Sequence, residues 1–328
     1  MAALPALSHD APFRTLSLLR NPSREELFAM NNRKIPPWIR SSLPSARALG
    51  RVESVTYAGG TSTVCREARC PNLGECYGQG TATFLILGDR CTRNCSFCAV
   101  EHGIPTELNP HEPEVVARAA RALGLRHVVI TSVTRDDLPD GGASAFAATV
   151  RAIRRESPEA SVEVLIPDLQ GSLDALDIVI EALPNVINHN METVERLYSA
   201  LRPGADYARS LRVLDHVRKK APEIITKSGI MVGVGETEEE LRRLMGDLAG
   251  VGCRVLTVGQ YLRPTPNHYP VQRFVPPDEF QTIEAMAHSA GFCAVAAGPL
   301  VRSSYRAGEL MERCFRADPP LTKSPPHQ

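Results

Sequence analysis

Six of the nine cysteines in this 328-residue chain lie between Cys65 and Cys98, written Cys65-x4-Cys70-x5-Cys76 and Cys91-x3-Cys95-x2-Cys98. So much sulfur in so short a stretch constrains the chain more than any other feature. Zinc sites draw four ligands from paired spacings near C-x2-C, and neither triplet offers them. Disulfide frameworks belong to short secreted chains, whereas this chain is long and shows no secretory signal. Three thiolates on one loop suit an iron–sulfur cube, one cysteine per iron, with the fourth iron open to another ligand.

The second triplet reads Cys91-Thr92-Arg93-Asn94-Cys95-Ser96-Phe97-Cys98, with an aromatic just ahead of the last cysteine. It resembles the signature of the radical S-adenosylmethionine (SAM) superfamily. That resemblance implies a cluster on Cys91, Cys95 and Cys98 whose open iron chelates SAM. Reductive cleavage of SAM then gives a 5′-deoxyadenosyl radical, a hydrogen abstractor borne by the cofactor. The first triplet stands only fourteen residues upstream, and the pairing resembles the lipoyl synthase family, whose first triplet holds an auxiliary cluster. The blocks SVTRDDLPDGG, EVLIPD, NHNMETV, KSGIMVGVGE, LTVGQYLRPT and GPLVRSSYRAG resemble segments of that family in the same order. The resemblance spans roughly residues 60–308.

Composition agrees. Hydrophobic content is 43% against 5% aromatic, the Ala/Val/Leu-rich balance of helices packed on a parallel sheet. Thirty-seven basic residues offset 37 acidic ones, so there is no polyelectrolyte footprint for nucleic acid. No apolar run approaches the ~20 residues of a membrane span. Residues 1–24 carry Arg14, Arg20 and Arg24 with Asp10 as the only acid, a weak echo of a transit peptide. The length ahead of Cys65 and the need for reduced thiols favour a bacterial cytoplasmic protein over an organelle matrix protein.

Residues 1–50 show no sustained period, and Trp38, the only tryptophan, reads as an aromatic anchor in an extended arm. Residues 51–80 read as coil around the first triplet, with turns at Pro71, Gly74, Gly78 and Gly80 and at most a short helix. A regular alternation follows. Strands are expected over 83–87, 127–133, 162–166, 186–190, 224–234 and 255–258. Helices are expected over 114–123, 143–156, 173–182, 192–200, 207–220, 238–249 and 277–289. Six β-α units imply an α/β fold with a parallel sheet and right-handed crossovers. That pattern alone fits a doubly wound sheet or a barrel; the radical SAM resemblance implies a partial (β/α)6 barrel. The expected organisation is 1–80 as arm and auxiliary-cluster extension, 81–290 as barrel, and 291–328 as a C-terminal extension closing on the auxiliary cluster, with a disordered tail.

In barrels of this kind, polar residues at the C-terminal ends of strands read as catalytic or ligand-binding. Asp136 and Asp137 follow the second strand, where the superfamily holds the SAM amino group. Glu163 lies in an apolar strand and is costly if buried unpaired, so it is expected to face the lumen and to contact SAM. Asn188, His189 and Asn190 end the fourth strand. Lys227 sits in the fifth, where a base, a salt bridge and a carboxylate contact all remain open. Gln260 ends the sixth, and Arg302 stands in the last block. Gly233-Val234-Gly235 lacks the rest of a dinucleotide fingerprint. The lipoyl synthase resemblance further implies a serine ligand to the auxiliary cluster beside Cys65, Cys70 and Cys76. It is placed on Ser304, although spacing does not separate it from Ser303. An alkoxide is a hard ligand on a soft site, which suits a cluster that must surrender sulfur. Cys253, Cys293 and Cys314 read as buried or incidental thiols.

The same resemblance implies two [4Fe–4S] clusters and two SAM molecules per lipoyl group, with sulfur inserted at C6 and C8 of a protein-bound octanoyl-lysine. Its implied partners are octanoylated carrier domains (2-oxoacid dehydrogenase subunits or the glycine-cleavage H protein), a ferredoxin- or flavodoxin-type electron donor and an iron–sulfur carrier. Two other readings stand beside it. A methylthiotransferase-like enzyme would carry a nucleic-acid module, which the neutral C-terminus lacks. A non-catalytic metal-binding protein would leave the strand-end polar residues without a role.

Overall fold

The computed structural model describes residues 35–39, 46–56, 60–68, 70, 72, 75–76 and 82–317. The chain divides into Met1–Lys34 and Ile35–Gln328, and every described residue belongs to the second unit. The expectations for residues 1–24, for the turns at Pro71, Gly74, Gly78 and Gly80, and for the tail past 317 lie outside the described residues.

Among the described residues, eight strands form one sheet in chain order: β1 (Ser62–Thr63), β2 (Thr83–Ile86), β3 (His127–Ser132), β4 (Ser161–Leu165), β5 (Val186–Asn188), β6 (Ile225–Val232), β7 (Val255–Gln260) and β8 (Ala294–Gly298). All ladders from β2 to β8 are parallel, and only β1 runs antiparallel, beside β2. Parallel neighbours need crossovers, which the helices supply: α3 (Glu112–Leu123), α4 (Ala143–Glu156), α5 (Leu173–Glu181), α6 (Tyr198–Leu201), α7 (Tyr207–Lys220), α8 (Glu238–Gly250) and α9 (Pro277–Ala290). This is the α/β partial barrel expected of the radical SAM type. Ahead of it lie α1 (Ala46–Thr56) and the single turn α2 (Val64–Glu67), and after it α10 (Ala307–Ala317).

Local chemistry explains most boundaries. Helix α3 starts with Pro113 in its first turn and stops at Gly124 in the left-handed conformation (φ 68°). Helix α8 opens with a capping box in which the Thr237 and Glu240 side chains each bond the other's backbone N–H. Outward strand residues such as Phe84, Ile130, Val164 and Ile187 are 0% exposed against the helices.

Three expectations need correcting. Helix 192–200 is a 3-10 turn at Glu195–Leu197 followed by the short α6, because Glu192 adopts φ 64° and cannot begin a helix. Trp38 is 43% exposed and is no anchor; its neighbour Ile39, 7% exposed, does the packing. Cys293 and Cys314 are joined as a disulfide with Cα atoms 5.2 Å apart, since α10 folds back onto the start of β8. Cys253 is a buried free thiol as expected.

Helix α10 closes one end of the barrel. Its Leu310 and Cys314 pack on Val186, Ile225, Val255 and Ala294, the first residues of β5, β6, β7 and β8. The chain must therefore travel from the C-terminal end of β8 to the opposite end of the sheet, and it passes along the inner face. A Cβ on Gly259 would meet the Val301 carbonyl oxygen at 2.1 Å, and one on Gly229 would meet Ser303 Oγ at 2.7 Å. Glycine here makes room for residues 301–303. Gly259→Ala is expected to lower unfolding free energy by about 1–3 kcal/mol through overpacking, read by denaturant titration. Alanine at the open Gly246, where a Cβ meets nothing within 4 Å, is the control that should not.

Candidate active site

Inward-facing residues alternate along each strand, and they form two layers with different chemistry. The lower layer is a buried charge cluster. Lys227 Nζ donates to both carboxylate oxygens of Glu163, at 2.8 and 3.1 Å, and Asn188 Nδ2 donates to the same carboxylate at 3.2 Å. His127 Nε2 stands 3.5 Å from it. Lys227 and Glu163 are 1% and 0% exposed. Burial pushes the Glu163 carboxyl up, but Lys227 and His127 together outweigh it and hold the group down at about 2. Glu163 faces the lumen as expected, yet it is spent on Lys227, and neither residue lines the cavity above.

That cavity, of about 520 Å³, occupies the C-terminal ends of the strands. Its floor is Thr131, Leu165, Asn190, Gly229 and Thr257, and both cysteine triplets reach its wall through Cys65, Cys70, Cys91, Cys95 and Cys98. Cys76 lies just outside the lining, close enough to Cys65 and Cys70 to feel their charge. Gln260, Arg302, Ser303 and Ser304 also line it. The amide of Gln260 is committed to backbone, donating to the Val232, Tyr261 and Arg273 carbonyls and accepting from Val275 N–H at 2.8 Å.

The loop bearing the second triplet leaves β2 and is tied down along its length. Cys91 N–H donates to the Glu101 carbonyl at 2.8 Å, and Gly103 N–H donates back to Cys91 at 3.0 Å. The Cys91 sulfur accepts backbone N–H from Arg93 (3.4 Å) and Thr134 (3.3 Å). His268 Nε2 donates to the Cys98 carbonyl at 2.9 Å, which leaves Nδ1 to accept from Thr265 Oγ1 at 2.7 Å. The first triplet is clasped from the far end of the sequence. Asn72 Nδ2 donates to the Leu300 carbonyl, and Tyr305 Oη donates to Glu75 Oε1 at 3.0 Å.

Burial first, and neighbouring cysteines after it, push the thiols up, Cys65 and Cys95 to about 11 and Cys76 and Cys98 to about 12. Thiolates crowded in this way need cations. Among the described residues no three His, Cys, Asp or Glu side chains stand close enough to share one metal ion. A cube is different, because it gives each thiolate its own iron. The donor set, three sulfurs on each of two short loops, fits two cubes.

Sequence reasoning missed two charged residues here. Glu192 lines the cavity with left-handed backbone (φ 64°), and burial raises its carboxyl, while Arg202, Asn190 and Arg302 pull it down. Arg202 is 8% exposed, stacks 5.1 Å from the Tyr198 ring centroid and donates to Asn190 O at 2.9 Å. Non-glycine φ > 0 and a buried arginine both mark functional positions, but neither has a sequence signature. His189 is 1% exposed and donates Nδ1–H to the Ile166 carbonyl at 2.9 Å. Burial and Arg202 lower it to about 4, so it is neutral and its Nε2 carries a lone pair. Three buried atoms of lining residues lack a partner: His189 Nε2, Asn190 Oδ1 and Ser132 Oγ. Orphaned buried polar atoms mark where a ligand's donors belong.

The radical SAM superfamily model matches residues 85–248. Curated lipoyl synthases are identical at about half of the aligned positions. One from Desulfotalea psychrophila is 52% identical over 278 residues, 85% of this chain and 93% of that protein. One from Rubrobacter xylanophilus is 53% identical over 281 residues, 86% of this chain and 88% of that protein. This chain belongs to the lipoyl synthase family. It is a radical SAM enzyme, and with membership come SAM and a [4Fe–4S] cluster. Solved structures agree on the fold: methylornithine synthase (TM-score 0.52, 15% identity, 89% of this chain and 79% of that one) and a maturase of the [FeFe]-hydrogenase (0.53, 14%, 72% and 54%). Among the described residues no helix is long and apolar enough to cross a membrane.

The lower layer yields a stability prediction. A carboxyl held down near 2 from an ordinary 4.5 contributes stability above pH 4.5, which is lost as pH falls toward 2. Glu163→Gln strands the Lys227 charge and is expected to cost about 3–5 kcal/mol and to flatten that acid limb, both seen in denaturant midpoints across pH. Pairing Glu163→Gln with Lys227→Met should recover part of the loss.

Proposed function

We propose that this chain inserts two sulfur atoms, at C6 and C8, into a carrier-bound octanoyl-lysine, with Cys91, Cys95 and Cys98 holding the SAM cluster and Cys65, Cys70, Cys76 and Ser304 holding the auxiliary one. The observation that carries it is convergence: cysteines of both triplets and the serines of the 301–304 segment line one cavity. When bound, the cluster and SAM supply a hydrogen-abstracting radical, which an unactivated C–H bond requires.

The chain's own residues then bind and orient. Arg202, the cation nearest Cys95 in influence, suits the SAM carboxylate. The acceptors Asn190 Oδ1, His189 Nε2 and Ser132 Oγ suit ammonium and hydroxyl donors. Arg302, which feels both Cys70 and Glu192, lines the cavity and offsets the anionic character of the auxiliary site. Ser304 is favoured as the oxygen ligand because Asn190 Nδ2 already engages Ser303 Oγ, at 2.7 Å. Leu85, Val133, Ile230 and Tyr261 give the cavity apolar wall for an acyl chain. Residues 1–80, 81–290 and 291–328 serve on this reading as auxiliary-cluster extension, barrel and closing extension. A low-potential ferredoxin or flavodoxin supplies electrons, and an iron–sulfur carrier restores the consumed cluster.

The test is mass spectrometry of an octanoyl-lysine peptide incubated anaerobically with reconstituted protein, SAM and reductant. The expected product carries two new sulfurs, with 5′-deoxyadenosine formed. 5′-Deoxyadenosine beside an unchanged peptide would remove the substrate assignment. Ser304→Ala should abolish sulfur insertion while Ser303→Ala keeps it; the reverse pattern moves the ligand to Ser303.

A further inference from the structure

The acidic turn after β3 is the place where a SAM ammonium was expected, but its carboxylates are occupied and neither lines the cavity. Asp137 is forked by Arg135, through Nε at 2.9 Å and Nη2 at 2.8 Å. Asp136 is forked by Arg93, through Nε at 2.7 Å and Nη2 at 2.9 Å. Arg93 lies between Cys91 and Cys95 in the cysteine loop, with a side chain only 8% exposed. Its Nη2 also reaches Asp168 Oδ1, just past the end of β4, at 2.6 Å. The Asp168 side chain is 0% exposed and takes Arg209 Nη1 from α7 at 3.2 Å on its other oxygen.

Two cations and two anions thus neutralise one another and join four elements: the cysteine loop, the ends of β3 and β4, and the start of α7. Backbone bonds run alongside. Thr92 N–H donates to the Thr134 carbonyl at 3.0 Å, Asp136 N–H donates to Thr92 Oγ1 at 3.1 Å, and Gln170 Nε2 donates to the Asp136 carbonyl at 3.0 Å. Burial raises the Asp168 carboxyl, but Arg93, with help from His189 and the Gln170 N–H, holds it down at about 2, so it is ionised beside Arg93 at neutral pH. A guanidinium locked by forked, buried bonds has little freedom left. Cys91 and Cys95 flank it within two residues.

We propose that Arg93 is a positioning residue for the thiolates of the cysteine loop, acting through Asp136 and Asp168, and that Asp136 serves the loop instead of a bound amino group. The proposal rests on Cys91, Cys95 and Cys98 being cluster ligands. It assigns a task to the middle residue of the Cys91–Cys95 gap and explains why a part-buried acid-base quartet, with Arg93 and Asp168 at its buried centre, sits beside the cavity without entering it.

The test uses the reconstituted full chain with SAM as titrant. The change in the electron paramagnetic resonance signal of the reduced cluster on adding SAM gives its affinity, and an iron chelator gives the iron-release rate. Arg93→Ala is expected to load its iron but to lose SAM affinity and to release iron faster, each by about 10- to 100-fold, as partners of ligands do when removed. Arg93→Lys should recover part of both, keeping the charge and losing the fork. Arg93→Ala with Asp168→Asn should be no worse than Arg93→Ala alone, since both act through one contact. Parent-like affinity and release in Arg93→Ala, or in Arg93→Lys if the alanine variant does not fold, overturns the proposal. Cys95→Ala separates the two levels. A SAM-responsive signal surviving there removes the ligand assignment itself; its loss beside a parent-like Arg93→Ala removes only the positioning role.

Discussion

Charge inside this barrel must be matched by opposite charge, because a lone buried ion carries a desolvation cost that packing cannot offset. Lys227 is matched by Glu163 at 2.8 Å, Arg93 by Asp136 and Asp168, and Glu192 faces Arg202 and Arg302. The cysteines are the exception. Burial raises the thiols of Cys65, Cys70, Cys76, Cys95 and Cys98, so ionising them as ligands calls for cations that the protein's own side chains supply only in part. Iron–sulfur chemistry completes the balance that the side chains leave open.

The second constraint is geometric. A sheet whose ladder runs from β1 to β8 in chain order has two edges, and the C-terminal segment makes the inner space usable. It leaves the top of β8, passes Gly259 and Gly229, and ends in α10 against the first residues of β5 to β8. Along that path it delivers Arg302, Ser303 and Ser304 to the cavity and grips the first triplet through Leu300 and Tyr305. The disulfide between Cys293 and Cys314 fastens the far end of the same segment.

Much of this was legible in the chain. The β-α alternation marked every parallel strand from β2 to β7 within two residues at most ends, because buried parallel strands are continuous apolar runs. β8 was missed: Ala294-Val295-Ala296-Ala297-Gly298 is too small and weakly β-branched to stand out. Helices α1 and α10 went unread too, since the first lies in a region without clear period and the second was taken as part of an extension. Asp136 and Asp137 read as ligand acids because an acidic turn at a strand end carries no sign that arginines already hold both. Glu192 and Arg202 were overlooked because position, not residue type, makes them special.

Sequence by itself determined the cysteine pattern: spacing within a loop is local, so two groups of three thiols are written directly in the chain, and so is the period of each strand and helix. The tertiary structure alone decided which charges are free to meet a ligand. Asp136 and Glu163 look available in one dimension and are paired with Arg93 and Lys227, 43 and 64 residues away, while Ser303 and Ser304 reach the cavity because the segment that carries them runs back along the inner face of the sheet. The physical reason is that pairing energies depend on through-space distance in a low-dielectric interior, a quantity that sequence separation does not contain.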